Sequence, residues 1–363
     1  MTDDSFNEFK ANIKVVGVGG AGCNAIDTMI ESGIQGVDFI AVNTDAQVLK
    51  KCKALSKLQI GQKLTKGLGA GADPELGKKA AEEDKEKIKE ALKGADMVFI
   101  TAGMGGGTGT GASPVIAEIC KNDLDILSVA VSTKPFFFEG KKRLENAQRG
   151  IEEIKKFIDT LIIIPNDKLL SLCGRNIQVR EGFKKADEVL MRSVRAITDV
   201  ITTPSLINID FADVKSVMKD KKIGLIGIGE SEGENRAQEA AEKAAVNQLL
   251  EDGITINGAT DVLLCIAGGN SLTLHEVKEA ATFVQEKICE EANVKFGVTI
   301  RDELGERVQV AIVATGLGEK PYVKKREETP LEMRKRNELF VDMDTPGKDI
   351  YDIPTFIRKA RRR

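Results

Sequence analysis

Short runs of apolar, β-branched residues alternate along most of this chain with charged stretches whose apolar positions recur at helical spacing. The runs predict strands at residues 13–18, 37–43, 97–101, 126–132 and 160–164. The amphipathic stretches between them predict helices at 21–32, 74–92, 113–121 and 141–158. Strand, turn and helix in repeated succession is the pattern of βαβ units, because parallel strands can be joined only by long crossovers. The fold class is therefore α/β, with a Rossmann-like parallel sheet.

After this first set, residues 182–203 place Phe183, Ala186, Val189, Leu190, Val194, Ile197 and Ile201 on one broad helical face. At ~3.6 residues per turn the segment makes five to six turns and suits a long central connecting helix. A second set follows: strand 223–228, helix 234–247, strand 261–267, helix 273–290, then strands 295–300 and 307–314. The last two strands succeed each other without a helix, so this part is expected to be α+β with a mixed sheet. Beyond Thr315 the periodicity stops, and a charged segment with Pro and Gly reads as a short flexible linker. The terminal IYDIPTFIRKARRR brings apolar residues back beside five cations, as either a frayed terminus or a docking peptide. The expected organisation is a flexible start (1–12), a nucleotide domain (13–179), the central helix (180–203), a C-terminal domain (204–316), a linker (317–349) and a terminal peptide (350–363).

Composition narrows the chemistry. The 363 residues, at ~150 per domain, make two to three folding units, and 42% hydrophobic with 30% charged residues is ordinary for a globular chain. A single His excludes a His-rich metal site, and excludes a Ser-His-Asp triad unless His275 supplies it. Six Cys without a CxxC pair, behind an opening MTDDSFNEF that is neither basic nor apolar, read as reduced cytosolic thiols that mostly fill the core. The longest apolar runs fall far short of the ~20 residues a membrane span needs. From Lys320 onward there are 13 basic and 8 acidic residues, against 40 and 48 before it. An acidic body argues against nucleic acid as the main ligand, while the basic tail can meet something anionic.

Three glycine-rich turns carry the chemistry. Gly17-Val-Gly19-Gly-Ala-Gly22 follows a strand and opens a helix, so that Gly17 and Gly19 are expected to bring backbone N–H groups to an anion. Alone it would equally suit a dinucleotide-binding oxidoreductase using NAD(P). The second turn, Gly103 to Gly111, has six glycines in nine positions, with a helix expected from Ala112. Each glycine would cost ~1 kcal/mol inside a helix or strand, so the segment is expected to form a loop that needs unusual φ/ψ or intimate backbone contact. Its Thr108 and Thr110 are suited to phosphate oxygens. A third turn, Gly67 to Pro74, is either a capped helix start or a lid over a terminal phosphate. The P-loop pattern G-x-x-x-x-G-K-[ST] is absent.

The sequence GMGGGTGTG at 103–111 matches the tubulin and FtsZ signature, and the chain resembles the FtsZ family of prokaryotic cell-division GTPases from residue 13 to 315 and again in the tail. The stretches GVGGAGCNA, NTDAQ, GLGAGADP, TKPFFFEGKKR, PNDKLL and NIDFADV occur in the family's order. The resemblance implies a site for GTP or GDP, with Mg²⁺, in which Gly19, Gly20, Ala21 and Asn24 form the first turn, with Asn43 nearby. Gly69, Ala70 and Gly71 form the third turn, and Gly103, Gly105, Gly106, Gly107, Thr108, Gly109 and Thr110 cradle the phosphates. Thr133, Pro135, Glu139 and Arg143 reach the ribose and phosphate edge, although Glu139 and Arg143 also fit a plain i, i+4 salt bridge. Asn166, Phe183 and Asp187 match the guanine-reading positions, Phe183 being equally well placed for the core. Asn208, Asp210 and Asp213 match the synergy loop that enters the next subunit's site; read unaided, Asn208 or Asp210 is a helix N-cap. No residue is assigned as a metal ligand.

The resemblance further implies head-to-tail protofilaments, a cytoplasmic ring at midcell beneath the inner membrane, and hydrolysis conditional on assembly. The tail, through DIPTFIRK, would dock on membrane-tethering division proteins such as FtsA, so that the membrane is reached only indirectly and nucleic acid not at all. Two stretches depart from the family: Lys219-Asp-Lys221-Lys222 replaces a small Gly-containing turn, and Asn247-Gln248 replaces Ser-Pro.

Overall fold

The computed structural model describes residues 11–172, 177–202, 206–207, 209–246, 256–289 and 291–317, all within the unit Met1–Pro321. Asn208, Cys173, Asn247, Gln248, residues 1–10 and everything from residue 318 onward, including the expected terminal peptide, lie outside the described residues.

The first part holds strands β1 (Ile13–Val18), β2 (Val37–Asn43), β3 (Ser56–Gln59), β4 (Met97–Gly103), β5 (Leu127–Lys134) and β6 (Thr160–Pro165). They are parallel, in the order β3-β2-β1-β4-β5-β6. The helices between them are α1 (Gly19–Glu31), α2 (Ala46–Lys51), α3 (Gln62–Thr65), α4 (Pro74–Glu83), α5 (Lys85–Leu92), α6 (Thr108–Glu118) and α7 (Lys141–Ile154). Then come α8 (Asn166–Leu172), the long α9 (Val179–Thr202) and α10 (Phe211–Met218). The last part holds β7 (Lys222–Ser231), α11 (Arg236–Ala245), β8 (Asp261–Gly268), α12 (Leu274–Lys287), β9 (Asn293–Ile300) and β10 (Val308–Thr315).

All ten described strands form one sheet, because β6 pairs in parallel with the start of β7 from Thr160–Lys222 to Ile162–Gly224. The second half is mixed, as its pattern predicts: β10 runs antiparallel to both β7 and β8, and β9 pairs with β8 in parallel. Successive strands β9 and β10 are therefore not neighbours, since β8 lies between them. Helices cover both faces of the parallel half. On one side α1, α9 and α10 pack on Val15, Phe99 and Val129; on the other α4 to α7 pack on Val16, Ile100 and Ala130. Met97, Phe99 and Ile100 are fully enclosed, each side chain stabilising the fold by about 1.5–3 kcal/mol. The face of α9 carrying Ala186, Leu190, Val194 and Ile197 shares one core with β7, β8 and β10. Four cysteines, Cys23, Cys52, Cys120 and Cys265, are buried and unbridged, and Cys289 is half-buried.

Strand β3 and helices α2, α3 and α8 have no counterpart among the predicted elements, and two predicted helices differ from the sequence pattern. The single helix expected at 74–92 breaks at Asp84, whose carboxylate accepts the Gly61 N–H at 2.8 Å and meets Lys87 at 2.6 Å. The helix expected from Ala112 starts at Thr108 and ends in a π-turn at Ile119–Asp123. Gly109 and Gly111 thus sit in helix rather than loop, and the reason is crowding. A Cβ on Gly111 would lie 2.0 Å from the Pro74 carbonyl oxygen of α4, and one on Gly109 2.8 Å from the Gly103 oxygen. Close packing against the end of β4 at Gly109 and against α4 at Gly111 accounts for glycine at both positions without the expected loop.

Candidate functional site

Strands β1 and β4 are adjacent and parallel, so their carboxyl ends reach the same edge of the sheet. There α1 starts at Gly19 and α6 at Thr108, and both N-termini enter one cavity of about 530 Å³. The first N–H groups of each helix have no intrahelical acceptor and carry the positive end of the helix dipole. Among the described residues Arg143 is the one Lys or Arg in the wall, so an anion here is met mainly by backbone N–H groups.

The glycines let these turns pack closely on one another. Gly19 has φ +73° and a Cβ there would stand 2.8 Å from the Gly109 nitrogen. A Cβ on Gly107 would meet Ala70 at 2.7 Å, which seats the third turn against the second. Gly19, Gly20, Ala21 and Asn24 line the cavity, as do Gly69, Ala70, Gly71, Gly103, Gly106, Gly107, Thr108 and Gly109. Asn43, Thr133 and Pro135 complete this part.

Three expected contacts fall outside the wall. Thr110 is buried with its hydroxyl accepting the Gly105 N–H at 2.8 Å, so it braces the second turn rather than facing the cavity. Gly105 lies behind that wall at φ +99°, where a Cβ would stand 2.7 Å from the Arg143 carbonyl oxygen. Gly17 is inside β1, and its missing side chain admits the Gly22 carbonyl oxygen, which would lie 2.4 Å from a Cβ. It serves strand-to-helix packing.

The far end of the cavity is built differently. Asn166 opens α8 directly after β6; it is buried, and its Oδ1 has no hydrogen-bond partner. Phe183 and Asp187 sit one turn apart on α9 and both face the cavity. Phe183 is 42% exposed and meets Phe136 edge-on at 5.3 Å, so it belongs to the wall and not to the core. Asp187 makes no ion pair among the described residues, and burial, helped by Glu188, pushes its carboxyl up to about 7. An unpartnered carboxylate and an unpartnered amide oxygen at one end of a cavity are two acceptors awaiting N–H donors. Between the two ends, Glu139 and Arg143 line the wall and form the i, i+4 ion pair; the Phe136 N–H also donates to Glu139 at 2.9 Å.

The carboxylates of the expected synergy loop are elsewhere. Asp210 is the N-cap of α10, accepting the Asp213 N–H at 2.6 Å, and Asp213 pairs with Lys295 at 2.7 Å. Neither lines the cavity. Among the described residues no group of three or more His, Cys, Asp or Glu could hold a metal ion. No described helix is long and apolar enough to cross a membrane.

Sequence reasoning missed Asp45, Leu68, Met104 and Ala186 in the wall, and Thr44 just behind it. Asp45 had a legible signal, since its carboxylate caps α2 by accepting the Gln47 and Val48 N–H groups. The apolar members had none.

Residues 12–174 match the model of the tubulin/FtsZ family GTPase domain, and residues 223–318 match that of the FtsZ family C-terminal domain. Among solved structures, the chain is similar to an empty FtsZ dimer of M. jannaschii, at 47% identity and a TM-score of 0.82, over 85% of this chain and 89% of that one. A point mutant of the M. jannaschii FtsZ matches at 47% identity and TM-score 0.81, over 85% and 92%. CetZ2 of Haloferax volcanii, solved as a GTPγS-bound protofilament, shares the fold at 22% identity and TM-score 0.72, over 92% and 100%.

Proposed function

The chain belongs to the tubulin/FtsZ family of GTPases, and from that premise we propose that it is a self-assembling GTPase whose protofilaments form the cytokinetic ring at midcell. GTP lies with its phosphates on the N-termini of α1 and α6 and its base against Asn166, Phe183 and Asp187. The glycine cradle and the two orphaned acceptors fit that ligand. Ionised Asp187 accepts two N–H groups from the guanine edge, a pair that adenine does not present. Glu139 and Arg143 hold the ribose and phosphate edge. Mg²⁺, held chiefly on phosphate oxygens with Asp45 as the carboxylate beside Gly69, would neutralise developing charge.

The observation that carries the reading is a division of labour. One chain supplies a complete binding cavity, yet the described carboxylates expected to orient the attacking water, Asp210 and Asp213, are missing from its wall. A head-to-tail neighbour supplies them with Asn208, so water is activated only where two chains meet. Exposed apolar side chains at Leu68, Phe137 and Phe138 beside the cavity, and at Leu206, Ile207 and Phe296 near α10, supply surface for such a contact. Residues 13–179 bind nucleotide, 180–203 connect, 204–316 present the activating loop, and 317–349 link to the peptide 350–363. That peptide engages tethering proteins of the FtsA kind and keeps the cytoplasmic filament close beneath the membrane.

Asp210→Ala and Asp213→Ala test this. Both variants are expected to bind GDP and GTP as the wild type does while losing phosphate release. Wild-type phosphate release is expected to rise faster than linearly with protein concentration; release simply proportional to protein at all concentrations refutes shared sites.

A further inference from the structure

Thr44 follows β2 and its side chain is completely buried, out of reach of the cavity. Its hydroxyl lies 2.6 Å from that of Thr108, the first residue of α6 and part of the cavity wall. The Thr65 hydroxyl of α3, which donates to the Gly61 carbonyl at 3.0 Å, lies 3.4 Å from the Thr44 carbonyl oxygen. Two hydroxyls in contact share one hydrogen bond and leave one proton over. If Thr108 donated to Thr44, the proton of Thr44 would be buried with no acceptor, at a penalty of about 1–3 kcal/mol. If Thr44 donates, the spare proton belongs to Thr108 and points into the cavity, where an anion can accept it.

We infer that Thr44 is a positioning residue which, by donating to Thr108, fixes the Thr108 hydroxyl as a donor to a phosphate oxygen of the bound nucleotide. This rests on the nucleotide reading above. The stretch NTDAQ contains Thr44 but does not show its partner, which is 64 positions away. The same link ties the residue after β2 to the second turn through Thr108.

The test is equilibrium binding of GDP to nucleotide-free protein, with thermal melting of the same samples. Thr44→Val keeps the shape and removes the donor; it is expected to weaken GDP binding about tenfold, the equivalent of one charge-assisted hydrogen bond of about 1.4 kcal/mol. Thr44→Ser should restore affinity to within about twofold of wild type, a rescue that a purely space-filling role would not give. In a Thr108→Val background Thr44→Val should add nothing, because the lost interaction runs through Thr108. Wild-type affinity in Thr44→Val, or the same loss in both backgrounds, overturns the inference. If the valine variant fails to melt cooperatively, Thr44→Cys takes its place, with intermediate affinity expected and wild-type affinity refuting. A wild-type protein that binds no guanine nucleotide instead sinks the reading of the cavity itself.

Discussion

On the proposed reading of the cavity, Asp187 should make guanine binding depend on pH across the neutral range. Its carboxyl sits at the base end of the cavity without a cation, and burial followed by Glu188 raises it to about 7. Only the ionised form can accept two N–H groups, so apparent affinity scales with the ionised fraction, which is about one tenth at pH ~6 and about nine tenths at pH ~8. Affinity for GDP should therefore rise roughly tenfold over that interval. Terminal phosphate also titrates near pH ~6, so the measurement is a pair: wild type and Asp187→Asn, by equilibrium binding at several pH values. The variant retains only the phosphate slope, and the difference between the curves isolates the carboxyl. The effect on folding has the opposite sign. In the unfolded chain the carboxyl ionises near its ordinary value, whereas the nucleotide-free fold holds the proton until about 7. Stability from this group is thus lost as pH rises between those values, and Asp187→Asn should melt higher than wild type at pH ~8 while binding guanine less tightly. Parallel binding curves for the two proteins would refute the reasoning.

Two further outcomes follow from backbone geometry. Gly111→Ala places a methyl 2.0 Å from the Pro74 carbonyl oxygen, so α4 must move away from α6; a stability loss of about 1–3 kcal/mol is expected in urea unfolding, with weakened GDP binding because α4 carries the third turn. Unchanged unfolding would show that the packing is looser than described. Lys222 is a non-glycine residue at φ +65°, in the turn that departs from the family, and both burial and Lys121 disfavour its charge. Lys222→Gly should raise the urea midpoint by the equivalent of about 1–2 kcal/mol at constant slope, and a lower midpoint would mean that the lysine stem contributes more than the strain removes.

Much of the site was legible because its chemistry is local. The turns at 17–22, 67–74 and 103–111 each announce a backbone that must come close to something, and two of them follow strands and open helices. What stayed hidden was which glycine serves which purpose. Gly20, Gly71 and Gly106 have open space where a Cβ would stand, whereas Gly17, Gly19, Gly105, Gly107, Gly109 and Gly111 admit other parts of the chain. That distinction depends on neighbours such as the carbonyls of Arg143 and Pro74, which are distant in sequence from Gly105 and Gly111.

The alternating pattern by itself determined the α/β class, the parallel first half, the long helix α9 and the mixed second half, because burial of one face imposes its period on the residues. The glycine-rich turns likewise point to backbone N–H groups as the means of meeting an anion, since none of the three contains a Lys or Arg. Tertiary structure alone decided that β8 separates β9 from β10, that Asp84 breaks a continuous helical pattern, and that Thr110 turns inward while Thr108 faces the cavity. It also decided where the carboxylates of Asp210 and Asp213 stand, away from the cavity that their own chain builds. Each of these turns on a hydrogen bond or steric contact between segments that only folding brings together, and no local period encodes such a contact.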